Sequence, residues 1–476
     1  MSEPDLDAVV VGSGPNGLAA AVTLAQAGRS VVVLEAADTI GGGTRSAELT
    51  VPGLIHDVCS AGHPFGAGSP YLATLPLDEH GLKWRWAEIE MAHPLDDGPP
   101  GTLCRSITDT AASLGEDGAA WRRTFGPLSE QFGSLAVDFF GPLLHVPRHP
   151  VVFTRFGLRA LWPATTYAKR FSTPQARALF ASAAAHSYTP LTWPGTAGVA
   201  DMFIAAGHSV GWPVAEGGSQ AIANALASLL TSLGGRIETG IEVKDLASLP
   251  PSRVRLFDTS PGVLAAIAGE ALPARVRRAY ARFRRGPAAF KVDLAVEGGI
   301  PWRDEACARA ATVHLGGAIE ELTAAEAQVY AGTMPERPFV LLMQQYLADP
   351  SRSSGDVHPI WAYAHVPNGY PHDATEVVLD QIERFAPGAR ERIVGRHVMG
   401  PAALESYNAS YAGGDIIGGA NTLRQIVFRP RVSTNPYATG IPGTYLCSAS
   451  TPPGGGVHGM CGHHAARHAV RYLDGR

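Results

Sequence analysis

Two glycine-rich stretches stand far apart in this 476-residue chain, and both have the makings of a seat for negative charge. "VVVGSGPNGLAAA" sets Gly12, Gly14 and Gly17 in a GxGxxG pattern, and "STPPGGGVHGMCGHHAARHAV" sets Gly454, Gly456 and Gly459 in another. Glycine lets backbone amides approach an anion with no side chain in the way, and a helix starting there adds partial positive charge. The second stretch also carries His458, Cys461, His463, His464 and His468. These residue types move protons, ligate metals or bond covalently to a flavin.

The elements around the first stretch decide its meaning. "DAVVV" (Asp7 to Val11) reads as a buried parallel strand, "LAAAVTLAQAG" as a helix closed by Gly28, and "SVVVLEA" as a second strand ending in Glu35. Strand, glycine loop, helix, strand and acid within about 30 residues make a dinucleotide-binding unit. Gly12 permits the turn, Gly14 lets the backbone reach a pyrophosphate, and Gly17 lets helix and strand pack. Pro15 and Asn16 belong to the same loop, and Glu35 with Ala36 meets the adenosine ribose. "EAADTIGGGTRS" then places Gly42, Gly43, Thr44 and Arg45 where a second turn wraps the pyrophosphate from its far side. A nicotinamide site has no need of that turn. It resembles the extended FAD signature of the flavoproteins that include amine oxidases and carotenoid desaturases.

The second stretch does not repeat the first. No second strand and acid follow its helix, so no second dinucleotide is expected on it. A strand, a glycine loop and a helix N-terminus remain, and these suit the ring of a reduced flavin, which carries negative charge near N1. Gly455, Gly456, Val457, His458 and Gly459 are the expected contacts. His458, placed at the first turn of that helix, is a candidate for flavin contact or proton transfer. Cys59 and His63 in "VCSAGHP" are candidates for the substrate side, His63 as a second acid/base. Covalent attachment through Cys461 is conceivable, but nothing in the spacing demands it. Cys461 is out of register with His464 and His468, so no metal is expected, and the last three histidines read as surface or packing residues. Asp415 in "GGDIIGG" either caps a turn or reaches the pocket.

Five segments follow from the pattern. Residues 1–70 form a first cofactor-binding segment, and 71–210 a mostly helical substrate-domain segment. Residues 211–289 return to the cofactor-binding sheet with a strand that runs to Val243, and the resemblance to FAD-binding flavoproteins implies that the backbone of Val243 pairs with adenine. Residues 290–405 carry strands such as "FKVDLAVEG", "PFVLLMQQYL" and "PIWAYAHV" of a mixed sheet, and 406–476 hold the flavin ring. The fold class is α/β, a discontinuous Rossmann-type FAD-binding domain with an inserted α+β substrate domain.

Composition narrows the partners. A net charge of −5 gives no nucleic-acid footprint, and "ARVRRAYARFRR" reads as one solvated helix face. Five scattered cysteines without a CxxC predict a reduced, cytoplasmic protein. "MSEPDLD" lacks the basic region of a signal peptide, and no apolar run reaches the roughly 20 residues that span a bilayer.

Nearly the whole chain resembles the phytoene-dehydrogenase-related family of FAD-dependent oxidoreductases. The matching stretches are "VVVGSGPNGLAAA", "LEAADTIGGGTRS", "EGGSQAIANALA", "YAGGDIIGGA" and "FRPRVSTNPYATGIPGTYLCSASTPPGGGVHGMCGHHAA". The branch looks like that of a mitochondrial pyridine-nucleotide-disulphide oxidoreductase-domain protein, although no redox CxxC is present. The resemblance implies bound FAD and hydride transfer between an apolar small molecule and flavin N5, with oxygen or a quinone as electron acceptor. It leaves open redox-neutral isomerisation or saturation of a double bond, and a flavin-bound interaction protein without turnover. A homodimer is compatible with it.

Overall fold

The computed structural model describes residues 6–475. Five parallel strands build the first sheet, in the order Thr444–Leu446, Ser252–Phe257, Leu6–Val11, Val31–Leu34, Arg236–Glu238. Alternation along them explains why so many are β-branched and apolar. Ala8, Val10, Val31 and Val33 face one layer of core, while Val9, Val11, Val32 and Leu34 face another. Both faces are buried, so the strands read as continuous apolar runs.

On one face lies the helix Pro15–Gln26, flanked by Gln220–Ser232 and by the C-terminal helix Met460–Leu473. The two ends of the chain meet here at very short range. A Cβ on Gly462 would stand 1.8 Å from the Asn16 carbonyl oxygen, so only glycine lets these two helices approach so closely. The opposite face is covered by Pro261–Ala268 and Ala274–Ala281. In the latter Val276 and Tyr280 are buried, while Arg275, Arg277 and Arg278 point to solvent.

The second sheet has seven strands, ordered Ile393–Met399, Ala288–Glu297, Val357–Val366, Val340–Met343, Ala310–Leu315, Ile89–His93, Gly101–Leu103. It is mixed, because Ile89–His93 runs parallel to Ala310–Leu315 and the other pairs are antiparallel. The helices Pro174–Ala185 and Thr196–Ser209 pack beside it, with Ala178, Leu179, Phe180, Met202 and Ile204 fully buried.

The segment read as mostly helical is so, and it also supplies the strands Ile89–His93 and Gly101–Leu103, whose short runs carry little period-two signal. Two local expectations are corrected. The strand drawn through Val243 stops at Glu238. There the chain folds across the end of its neighbour, with Gly240 N–H donating to the Ala37 carbonyl and Ile241 N–H to that of Glu35. Val243 therefore lies in irregular chain. The C-terminal helix begins at Met460 after Gly459 as N-cap, so His458 precedes the helix instead of opening it.

Candidate functional site

One cavity of about 660 Å³ runs from the carboxyl ends of the parallel strands to the face of the second sheet. That is where open α/β sheets place ligands. Its first end is made of Gly12, Gly14, Pro15, Asn16, Glu35, Ala36, Gly42, Gly43, Arg45, Val243 and Asp258. Gly17 and Thr44 stand behind this wall. The Gly17 amide donates to Asp258 Oδ2 at 2.8 Å, and the Thr44 hydroxyl donates to the Gly41 carbonyl.

Glu35 is fixed by its surroundings. One carboxylate oxygen accepts the Ser13 amide (2.9 Å) and hydroxyl (2.6 Å), and the other accepts the Ala37 amide (3.0 Å) and the Arg45 guanidinium (3.2 Å). Arg45 also donates to the Thr39 carbonyl, so its charge is partly shared with Glu35.

Asp258 is the residue that sequence reasoning missed at this end. It follows the strand Ser252–Phe257, and burial raises its carboxyl to about 7, against the lowering effect of the Gly17 amide. A Cβ on Gly14 would come within 2.6 Å of Asp258 Oδ2, and one on Gly42 within 3.0 Å of Gly14 Cα. The two glycine turns and this carboxyl fit together with no room for side chains. The open channel, the amides of the first helix turn and the ribose-side acid fit the diphosphate and sugar of a dinucleotide.

The other end is aromatic and apolar. Phe65, Phe203, Trp212, Trp361, Tyr363 and Met343 line it, together with His63, His186, Thr312, Gly456 and Val457. Of the expected ring contacts, Gly456 and Val457 are in the wall. Gly455, His458 and Gly459 are not. The His458 imidazole turns into the core beside Phe140 (ring centroids 5.3 Å apart). Its Nδ1 accepts the Met460 amide at 3.1 Å, and burial holds its pKa down at about 4.

His63 does reach the cavity. Ser219 Oγ donates to the Ser60 carbonyl at 2.7 Å, so its oxygen accepts from His63 Nε2 at 2.8 Å. That fixes the tautomer and leaves a lone pair on Nδ1, which has no partner among the described residues. Burial keeps this imidazole neutral, with a pKa of about 4. His186 is pinned similarly: Nδ1 donates to the Ala183 carbonyl at 3.2 Å, and burial lowers its pKa to about 3. Thr312 Oγ1 and Trp361 Nε1 are buried without partners among the described residues. Nearby, Lys291 is buried in an ion pair with Asp293, its Nζ 5.9 Å from the centre of the Trp361 ring. None of His186, Thr312, Tyr363 and Lys291 carries a local signature, because separate strands and one loop bring them together.

The remaining candidates resolve into structural roles. Cys461 donates its thiol to the Thr451 and Gly454 carbonyls, is pushed up to about 12 by burial, and does not line the cavity. Cys59 lines it, and burial raises that thiol too. Asp415 caps a turn, accepting the amides of Gly286 and Ile417. His463 stacks on Tyr71, His464 bonds the Phe140 carbonyl, and His468 contacts Asn435. Among the described residues no group of three His, Cys, Asp or Glu side chains could hold a metal ion.

Residues 10–74 match the NAD(P)-binding Rossmann-like domain. The chain is similar to pyridine nucleotide-disulfide oxidoreductase domain-containing protein 2 of Mus musculus, at 26% identity over 99% of this chain and 94% of that protein. A shorter stretch, 21% of the chain, is 42% identical to putrescine oxidase of Kocuria rosea, covering 20% of it. Among solved structures it resembles an oxidoreductase from Methanosarcina mazei (TM-score 0.62, 16% identity, 99% of this chain and 100% of that one). It also resembles a putrescine oxidase (TM-score 0.62, 18% identity, 99% of each chain) and a CLA-producing fatty acid isomerase from P. acnes (TM-score 0.58, 16% identity, 98% of each chain). The chain thus shares the fold of these solved structures and carries a Rossmann-like domain at residues 10–74.

Proposed function

We propose that this chain is an FAD-dependent oxidoreductase of dehydrogenase or desaturase type, acting on an uncharged, largely apolar organic molecule. The observation that carries the reading is one cavity with two unlike ends: glycine turns and helix amides at one, aromatic rings and neutral imidazoles at the other. When bound, FAD supplies the hydride acceptor.

The chain's own groups divide the remaining work. Gly12, Gly14, Pro15 and Asn16 with the first helix turn would hold the diphosphate, Gly17 packing behind them, and Gly42, Gly43 and Arg45 would close over it, with Thr44 bracing that turn. Glu35 and Ala36 would take the ribose, and the chain at Val243 the adenine. Gly456 and Val457 would carry the ring, with Gly455, His458 and Gly459 behind them in the same loop. Phe65, Phe203, Trp212 and Tyr363 exclude water from the reacting carbon. His63 Nδ1 would receive the proton lost from the carbon next to the one that gives up hydride, and Ser219 keeps that nitrogen unprotonated beforehand. The final electron acceptor would be oxygen or a quinone.

Charge argues for a neutral substrate over a diamine. The acids that line the cavity, Glu35, Glu242 and Asp258, belong to its nucleotide end. An ammonium group at the aromatic end would be buried without a carboxylate lining the wall beside it. Redox-neutral isomerisation or saturation of a double bond is the second reading, favoured by the fold shared with a fatty acid isomerase. The five free thiols suit a reducing compartment such as the cytoplasm.

Anaerobic exposure of the FAD-loaded protein to fractions of a neutral-lipid extract tests the reading. Bleaching by one fraction, with stoichiometric product, supports a dehydrogenase. Product without net electron transfer supports the isomerase. A flavin that no fraction reduces, in a protein that converts nothing, points to an interaction protein.

A further inference from the structure

The helix Pro150–Ala160 buries Phe156 but turns Val151, Thr154, Arg155 and Leu158 to solvent, and Leu161 and Trp162 continue that exposed face. Leu144 and Val146 protrude just before it. Val146 is 91% exposed, and Leu144 and Leu158 each 69%. Six of the thirteen large apolar side chains exposed among the described residues fall within these 19 positions. So dense a patch calls for a partner.

Its charge identifies the kind of partner. Residues 131–172 carry five Lys and Arg (Arg148, Arg155, Arg159, Lys169, Arg170) and one acid, Asp138. Asp138 is buried, and its carboxylate accepts the amides of Arg148 and His149 and contacts His145. The segment is therefore basic in a chain whose total charge is −5. A second copy placed across a two-fold axis would set one basic patch against another. Exposed Leu, Val and Trp among arginines match the boundary between acyl chains and anionic headgroups. At eleven residues the helix is about 16 Å long, too short to cross a bilayer, so it can only lie on one.

The patch also connects to the cavity. Phe156 meets Phe139 (5.7 Å), Phe139 meets Phe140 (5.3 Å), and Phe140 meets Phe65 (5.2 Å), which lines the aromatic end. We infer that residues 144–162 dock this protein on an anionic membrane surface, on the side of the molecule from which a run of packed aromatic rings leads to the cavity wall. The docking itself rests on exposure and charge, independently of the flavin reading.

Co-sedimentation of the full chain with vesicles tests it. The probes are pure phosphatidylcholine and phosphatidylcholine with about one-third phosphatidylglycerol. The wild type is expected to partition about tenfold better to the anionic vesicles, and to lose most of that at high salt. Leu158→Glu with Leu161→Glu should abolish binding, and Arg155→Glu should weaken it about fivefold, all with unchanged circular dichroism because the side chains are exposed. No vesicle binding, or equal binding to neutral and anionic vesicles, overturns the inference. So does a dimer in sedimentation velocity that the double variant converts to monomer, which would make the patch a subunit interface.

Discussion

The carboxyl of Asp258 accepts the amide of Gly17 at 2.8 Å, joining two residues 241 positions apart at the start of the first helix. The glycine loop is therefore shaped as much by this acid as by any bound phosphate. A Cβ at Gly14 collides first with Asp258 Oδ2.

Gly14→Ala should lose most of its dinucleotide binding, and adding Asp258→Ser should restore part of it by removing the colliding oxygen. FAD retained after gel filtration, measured for both variants, checks this. No rescue would place the steric conflict elsewhere.

Asp258 also predicts a pH effect on binding. Burial raises its pKa to about 7, so above that pH a carboxylate stands at the helix N-terminus beside the phosphate seat. Asp258→Asn should tighten FAD retention at pH 8, about tenfold for one charge removed at short range, and change it little at pH 5.5. Calorimetric titration of the apoprotein at both pH values is the measurement. Equal effects at both would remove Asp258 from the phosphate environment.

Acid should unfold this protein early. His56, His63, His93 and His458 are buried with pKa values lowered to about 4, and His186 to about 3. Each binds a proton more readily when unfolded, so each contributes stability that is full above about 6.5 and is lost as pH falls towards its folded pKa. Asp258 and Asp201, each raised to about 7, and Glu90 and Asp415, also raised by burial, work the other way, favouring the fold below their raised pKa, but the lowered imidazoles, to which His208, His463 and His468 add, outnumber them. Thermal midpoints should drop steeply from pH 6.5 to 4.5. A flat profile would contradict the buried, neutral imidazoles.

His63 is expected to matter for chemistry and little for cofactor retention. His63→Ala should slow flavin bleaching by about a hundredfold or more. Ser219→Ala should slow it less, since it removes only the partner that fixes the tautomer. Because the imidazole is neutral above about pH 4, the rate should be level from pH 6 to 8. Bleaching at the wild-type rate in His63→Ala would remove it from the proton path.

The nucleotide half of the molecule was legible because its parts are contiguous: strand, glycine loop, helix, strand and acid follow one another. The aromatic end was not. Thr312 comes from one strand of the second sheet, Trp361 and Tyr363 from another and His186 from a loop, so their meeting depends on long-range pairing such as Met343 with Thr312 and with Trp361. His458 shows how small a shift matters. The helix starts at Met460, and that short displacement turns the imidazole from the expected ring contact towards Phe140. Asp258 lies at a strand end with no spacing rule to flag it.

The most direct test of the central claim is the identity of the nucleotide. The purified protein should be yellow and on heat denaturation should release FAD, close to one per chain, identified by chromatography against FAD, FMN, NAD and NADP standards. A colourless protein that binds no added FAD, or one that releases a nicotinamide dinucleotide instead, would contradict the account.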